Sequence, residues 1–358
     1  MVGAGHCGGI CSGGSCPGGP CPGRAGTGAF TANTADHPSI TGRLDTLCNI
    51  ERVTLTAESA IMSAPATHVM RAPDLQCHRR TFAAMGNTAT ITVIADSEHT
   101  AASALVAGVD RVHELEARWS RFLVDSEVSR YNQLGDVAEL SGDTRRLLAH
   151  CEASRHRTGG LFDARVVATM LQLGYDRSLV DARIGTNAAH AGAIDAGAIG
   201  KGLAADFACD TMRRAGALGA LVNLGGDVRC SGTGDRDGNW VVDIASPDDY
   251  SEPLARIRLA EGGIATSSLR AKRWSGLPAS SSHIIDPRSM TSVDPTTHHV
   301  VQATVIASTA AWAETFATAV LVESAPAAVA LIDRSDLAAL LVTGDGRSVR
   351  TSRWIDFR

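Results

Sequence analysis

Two short stretches of the chain carry residue types suited to chemistry. In AIDAGAIGKGLAADF, residues 193–207, Asp195 heads a glycine-dotted turn that holds Lys201 and runs into a helical pattern. Glycines there let the backbone turn tightly and let a ligand come close. The start of the helix offers free N–H groups and a positive dipole end to an anion, and Lys201 adds a point charge. It is not a Walker loop, because G-x-x-x-x-G-K-[ST] would put glycine where the chain has Asp195 and a hydroxyl where it has Gly202. A carboxylate beside a phosphate cradle repels the anion unless it bonds a neutral ring edge or a divalent cation lies between them. A glycine-rich joint with a surface lysine remains open on this stretch alone.

The second stretch is TAAWAETFATAV, where Glu314 and Thr318 are four apart and share one face of a helix. Carboxylate plus hydroxyl is oxygen-only ligation of the kind Mg²⁺ accepts while sharing its remaining positions with substrate phosphates. A solvated Glu–Thr pair is the plain alternative. In SHIIDPRS, His283 precedes two apolar residues and Asp286, and a histidine there can serve as a base near neutral pH or pack as a turn residue. VNLGGDV and GGIATSS add Gly225, Gly226, Asp227, Thr266 and Ser267, whose N–H and hydroxyl groups suit phosphate or ribose oxygens as well as ordinary turns.

The elements that must position these residues alternate along the chain. TATITVIA reads as a strand, EHTAASALVAGVDRVHELEARW as a helix, and DTRRLLAHCEASRHRTG as a second helix. Asp125-Ser126 reads as a turn or cap. GGLFDARVVATMLQLGY is expected to be helical after its glycines, AIDAG to end a short strand, and GKGLAADFACDTMRRAG to form a helix stopped at Gly216. ALVNLGGDVRCSG, NWVVDIASP, LARIRLAEGGIATSS and HHVVQATVIAS supply further strands, TAAWAETFATAVLV a long apolar helix, and the C-terminus two closing strands. Strands in adjacent pairs favour a mixed α/β fold with antiparallel sheets and packed helices over a doubly wound parallel sheet.

Composition bounds the function. The 358 residues carry a formal net charge of −5 and no basic stripe, which disfavours nucleic acid. No apolar run is long enough to span a membrane. Four of the nine cysteines lie in MVGAGHCGGICSGGSCPGGPCPG, without a C-x-x-C pair, within a Gly/Pro-rich tail expected to be disordered over residues 1–77. The other five read as reduced thiols. Nothing there resembles a secretory or lipoprotein signal, so a cytoplasmic protein is expected, with one catalytic domain over 78–358.

Taken together and in order, FAAMGN, DSEVSRYNQ, GGLFDARV, AIDAGAIGKGLAADF, VNLGGDV, GGIATSS, SHIIDPRS and WAETFATAVLV resemble the FAD:protein FMN transferases, the ApbE family, over roughly residues 80–345. The resemblance implies a compact arrangement of antiparallel sheets and helices, often likened to the tunnelling fold. It also implies Mg²⁺-dependent transfer of FMN from FAD to a Ser or Thr hydroxyl of an acceptor protein, releasing AMP. Hydrolysis of FAD to FMN and AMP, or FAD binding without catalysis, are the rival readings.

Residue by residue, the resemblance assigns flavin or FAD contacts to Met85, Phe122, Leu161, Phe162, Asp163, Asp195, Lys201 and Ile285. It assigns the metal to the Ala198 carbonyl, Glu314 and Thr318, with His283 as the candidate base and Asp163 as a second. Glu314 stands where the family has Asp, Asn87 and Arg165 where it has Thr, and Ser268 where it has Gly. Glutamate's extra methylene moves the metal or the helix, and Arg165 is placed to pair with Asp163 or with a pyrophosphate.

Overall fold

The computed structural model describes residues 75–177, 184–185, 190–234, 237–247, 253–270, 281–296 and 300–357. The four-cysteine tail and most of YDRSLVDARIGTNAAHAG lie outside these residues. Eight strands form one antiparallel sheet: β1 (Gln76–Ala84), β2 (Asn87–Ala95), β3 (Gly219–Leu224), β4 (Asp227–Gly232), β7 (Gly262–Ser268), β10 (Val300–Ala307), β11 (Ala338–Thr343) and β12 (Ser348–Arg350), in that spatial order. β5 (Trp240–Ala245) pairs with β6 (Pro253–Leu259), and β8 (Ile285–Asp286) with β9 (Thr291–Ser292), in two small separate sheets. Mixed α/β with antiparallel pairing is therefore the observed fold.

Side-chain alternation divides the apolar residues between two layers. Ile91, Val93, Ala303 and Val305 face the larger core, while Ile94 and Ile306, one residue out of phase, face the smaller one with Trp240, Ile257 and Trp354. β10 is buried along its whole length because both faces are covered. Such strands read as continuous apolar runs.

Over the larger core lie α1 (Glu98–Trp119), α5 (Gly200–Arg214) and α6 (Ala310–Ala319), with α3 (Gly142–Arg157) beside them. Ser97, Ser141 and Thr309 cap α1, α3 and α6 by accepting backbone N–H bonds in the first turn. Ser126 caps α2 (Glu127–Leu134), so the expected turn at Asp125-Ser126 opens a helix of its own. α7 (Ala325–Arg334) is a further helix between α6 and β11.

Two expectations fail. After GGLFDAR the helix α4 covers only Val167–Gln172, because the Asp163 carboxylate accepts the Arg165 N–H at 2.9 Å and turns the chain first. AIDAG forms no strand. Asn132 grips Ile194 through both its N–H and its carbonyl, each at 2.8 Å, and the Asp195 carboxylate caps a 3-10 turn over Ala196–Ala198. A buried asparagine takes the place of a neighbouring strand.

Candidate functional site

The N-terminus of α5 and the second turn of α6 meet at one end of the sheet. A Cβ on Gly202 would lie 2.6 Å from the Ala310 carbonyl oxygen, so only glycine lets the two helices approach this closely. Asp206 on α5 accepts the Ala310 and Ala311 amides at 2.9 and 3.0 Å and anchors the start of α6. Ser154 of α3 shares a 2.9 Å hydrogen bond with Thr315, holding α6 from the other side. These contacts fix the azimuth of Glu314 and Thr318.

Glu314 is 3% exposed, far from the solvated side chain considered above. Its Oε2 accepts the Gly202 amide at 2.8 Å and its Oε1 accepts from the Lys201 ammonium. The same ammonium donates to Asp227 Oδ2 at 2.5 Å, at the turn between β3 and β4. Two carboxyl groups flank one ammonium. Burial works against the charge on Lys201, but Asp227 and Glu314 outweigh it and raise its pKa. Burial and then Asp227 push the Glu314 carboxyl up, opposed by Lys201. Lys201 therefore holds its proton.

Thr318, one turn along α6, lies 3.2 Å from Ser267 Oγ at the end of β7. The donors on α6 and β7 are carboxylate and hydroxyl oxygens, and Ala198 belongs to the 3-10 turn just ahead of α5 in the chain. Among the described residues no group of three or more His, Cys, Asp or Glu is placed to hold a metal. An all-oxygen set with few protein ligands fits Mg²⁺, which completes its shell from phosphate and water. The ammonium already drawn to Glu314 marks the position as one that attracts a cation.

Asp195 is paired with Arg121, which sequence reasoning passed over. Phe122 lies against the Arg121 guanidinium and lines a cavity of about 640 Å³ with Leu123, Val124, Ser126 and Ile184. A smaller recess of about 190 Å³ is lined by Tyr131, Cys151, Asp163, Arg165 and Ile194. Cys151 is buried at the wall of this recess. Burial pushes its thiol up to about 12, helped by the charges of Asp163, Asp195 and Glu314.

Asp163 is engaged on both oxygens by Arg165, at 2.9 Å from Nε and 2.6 Å from Nη2. Burial opposes the Asp163 charge, yet the Arg165 bonds win and hold the carboxyl below its usual range. Phe162 is buried and its amide is held by Thr158 Oγ1 at 3.0 Å, while Leu161 packs half-buried on the larger core. Ile285 packs with Val166 and Met170, so β8 lies against the segment that follows Asp163, and His283 lies two residues before β8 in the chain. Met85 occupies the β1–β2 turn with φ of 50°, a conformation that costs a non-glycine residue energy. Glu116 accepts the Met85 amide at 2.7 Å and holds it there.

The substitutions seen in the motifs have structural counterparts. Asn87 donates to the Met85 carbonyl at 2.9 Å and packs on Gly225, so the β1–β2 and β3–β4 turns abut. Gly225 has φ of 63°, and a Cβ there would come within 2.6 Å of Asn87. Ser268 Oγ accepts the Arg270 amide at 3.2 Å. Residues 85–341 match the profile of the ApbE family. The chain belongs to that family.

Among ApbE relatives, the FAD:protein FMN transferase of Escherichia coli K12 is 30% identical over 159 residues, 44% of each chain. That of Haemophilus influenzae is 23% identical over 299 residues, covering 72% of this chain and 84% of its own. In the E. coli alignment this chain spans less than half the relative's length. The ApbE protein of Thermotoga maritima superposes with a TM-score of 0.67 at 21% identity, over 79% of this chain and 99% of the other. The flavin transferase ApbE of Vibrio cholerae gives 0.62 at 22% identity, over 79% and 100%. These superpositions establish the ApbE fold. No helix among the described residues is long and apolar enough to cross a membrane.

Proposed function

We propose that this chain is a Mg²⁺-dependent FAD:protein FMN transferase, acting on a Ser or Thr hydroxyl of an acceptor protein. The observation that carries the reading is the buried Lys201–Asp227–Glu314 group beside Thr318 and Ser267, at the mouth of the α5 N-terminus. An oxygen-rich cluster next to a helix N-terminus suits a cation and a pyrophosphate together. The names of the relatives at 30% and 23% identity point the same way.

In this reading the acceptor oxygen forms a bond to the FMN phosphorus, the bond from that phosphorus to the AMP oxygen breaks, and AMP leaves. When bound, Mg²⁺ supplies charge neutralisation across the pyrophosphate. Glu314, Thr318 and the Ala198 carbonyl hold it, while Lys201 balances phosphate charge. His283 takes the acceptor proton. Asp163, tied to Arg165, serves the FAD site chiefly by position. Met85, Phe122, Leu161, Phe162, Asp195 and Ile285 surround the flavin end. Phosphoryl transfer of this kind depends mostly on positioning and charge.

We assign this work to residues 78–358, with the tail before them separate, and place the protein in the cytoplasm. The four described cysteines, Cys77, Cys151, Cys209 and Cys230, are all free thiols, as a reducing compartment keeps them. The test incubates the protein with FAD and Mg²⁺, with and without acceptor peptides, following AMP release and in-gel flavin fluorescence. Fluorescence on the acceptor with stoichiometric AMP supports transfer. AMP with free FMN alone identifies a pyrophosphatase, and no AMP in any arm identifies a binding protein.

A further inference from the structure

We propose that Arg121 is a positioning residue that fixes which oxygen of Asp195 meets the ligand, and thereby imposes a requirement for a ring N–H. The proposal rests on the reading of FAD as substrate. Arg121 Nε donates to Asp195 Oδ1 at 3.2 Å, and Nη2 donates to the Tyr175 carbonyl at 2.8 Å. Its guanidinium lies over the Phe122 ring at 4.3 Å and the Tyr175 ring at 4.6 Å. A Cβ on Gly185 would come within 2.5 Å of Nη1, so bare backbone closes that side.

This enclosure leaves the Arg121 side chain 1% exposed, against 10% for Asp195. Asp195 is the more exposed member of the pair, so Arg121 acts through Asp195. Among the described residues, both donors to the Asp195 side chain take the same oxygen: Arg121 Nε, and the Gly197 amide at 3.4 Å. Oδ2 is the oxygen left for a ligand. A carboxylate paired with a guanidinium accepts and cannot donate, so the ligand atom facing it must carry a hydrogen. On the polar edge of an isoalloxazine, that selects the imide N–H over the carbonyls on either side of it.

Arginine suits the position for reasons lysine does not share. Its planar fork bonds two acceptors in different directions while it lies against the Phe122 and Tyr175 rings. Phe122 belongs both to this stack and to the wall of the 640 Å³ cavity, so the buried pair and the ligand space share one ring.

The experiment titrates the full chain with FAD and with N3-methyl-FAD, which lacks the imide hydrogen, by flavin fluorescence. Wild type, Arg121→Met and Arg121→Lys are compared, with circular dichroism and thermal unfolding to establish folding. Wild type is expected to prefer FAD by about 10- to 100-fold, the range for a hydrogen bond to a charged group. The preference falls toward parity in Arg121→Met and is partly kept in Arg121→Lys. Should Arg121→Met not fold, Asp195→Asn, whose amide can turn either edge to the ligand, is expected to lose the same preference. A folded Arg121→Met that keeps the wild-type preference overturns the proposal, as does a wild type that binds both flavins equally. A wild type that binds neither overturns the FAD reading itself.

Discussion

The Gly202 amide donates to Glu314 Oε2 at 2.8 Å, joining residues 112 positions apart through two helices that only a glycine allows to touch. The Glu314 carboxyl, proposed to hold the metal, is thus oriented by backbone, and its geometry depends on how closely α5 approaches α6. Gly202→Ala would place a Cβ against the Ala310 carbonyl, and overpacking of this kind costs about 1–3 kcal/mol. Denaturant unfolding is expected to show that loss, with Mn²⁺ affinity falling in parallel because Glu314 moves with α6. A variant of wild-type stability would contradict the close approach.

Glu314→Gln keeps the volume and the acceptor for Gly202 but removes the charge that draws a cation. Mn²⁺ binding, followed by electron paramagnetic resonance, is expected to weaken by more than about 10-fold, the lower end of what outer-shell changes alone cost. Thr318→Ala should weaken it too. Ser267→Ala should do so less, since Ser267 reaches the site through Thr318. Equal Mn²⁺ affinity in Glu314→Gln would remove Glu314 from the ligand set.

His283 and Asp163 are separable by mutation. Arg165 occupies both oxygens of Asp163 and holds its carboxyl low, a poor setting for a base. His283→Gln is expected to slow FMN transfer to an acceptor by about 10²- to 10⁴-fold, the usual range for a general base, with FAD affinity kept. Asp163→Asn should act mainly on FAD affinity. The reverse pattern in single-turnover rates and binding would exchange the two roles.

Asp206 makes stability depend on pH. Burial raises its pKa to about 6, against the two α6 amides that lower it. A carboxyl raised on folding binds more protons in the native state, so its contribution is fully present below the unfolded value near 4. It is then lost as pH rises through about 6, an effect on the order of 3 kcal/mol. The stability difference between wild type and Asp206→Asn should fall from pH 4 to pH 6 and level off above pH 7. A difference flat across that window would place the Asp206 pKa at its ordinary value.

The residue types of the site were legible in the chain because motif spacing is local. A glycine turn with Asp195 and Lys201, and Glu314 with Thr318 one helical turn later, follow from sequence order and the period of a helix. Strands read in adjacent pairs likewise announced the antiparallel class. Local spacing carries no information on partners far along the chain. Lys201 closing on both Asp227 and Glu314, Asn132 replacing a strand as the support for Ile194, and Arg121 pairing with Asp195 each join segments 26 to 113 residues apart. Those pairings arise where packed elements bury polar groups, since a buried charge must find a partner or pay the cost of desolvation. Folding, not spacing, decided that Glu314 is a buried member of an ion group and that Asp195 is paired with Arg121.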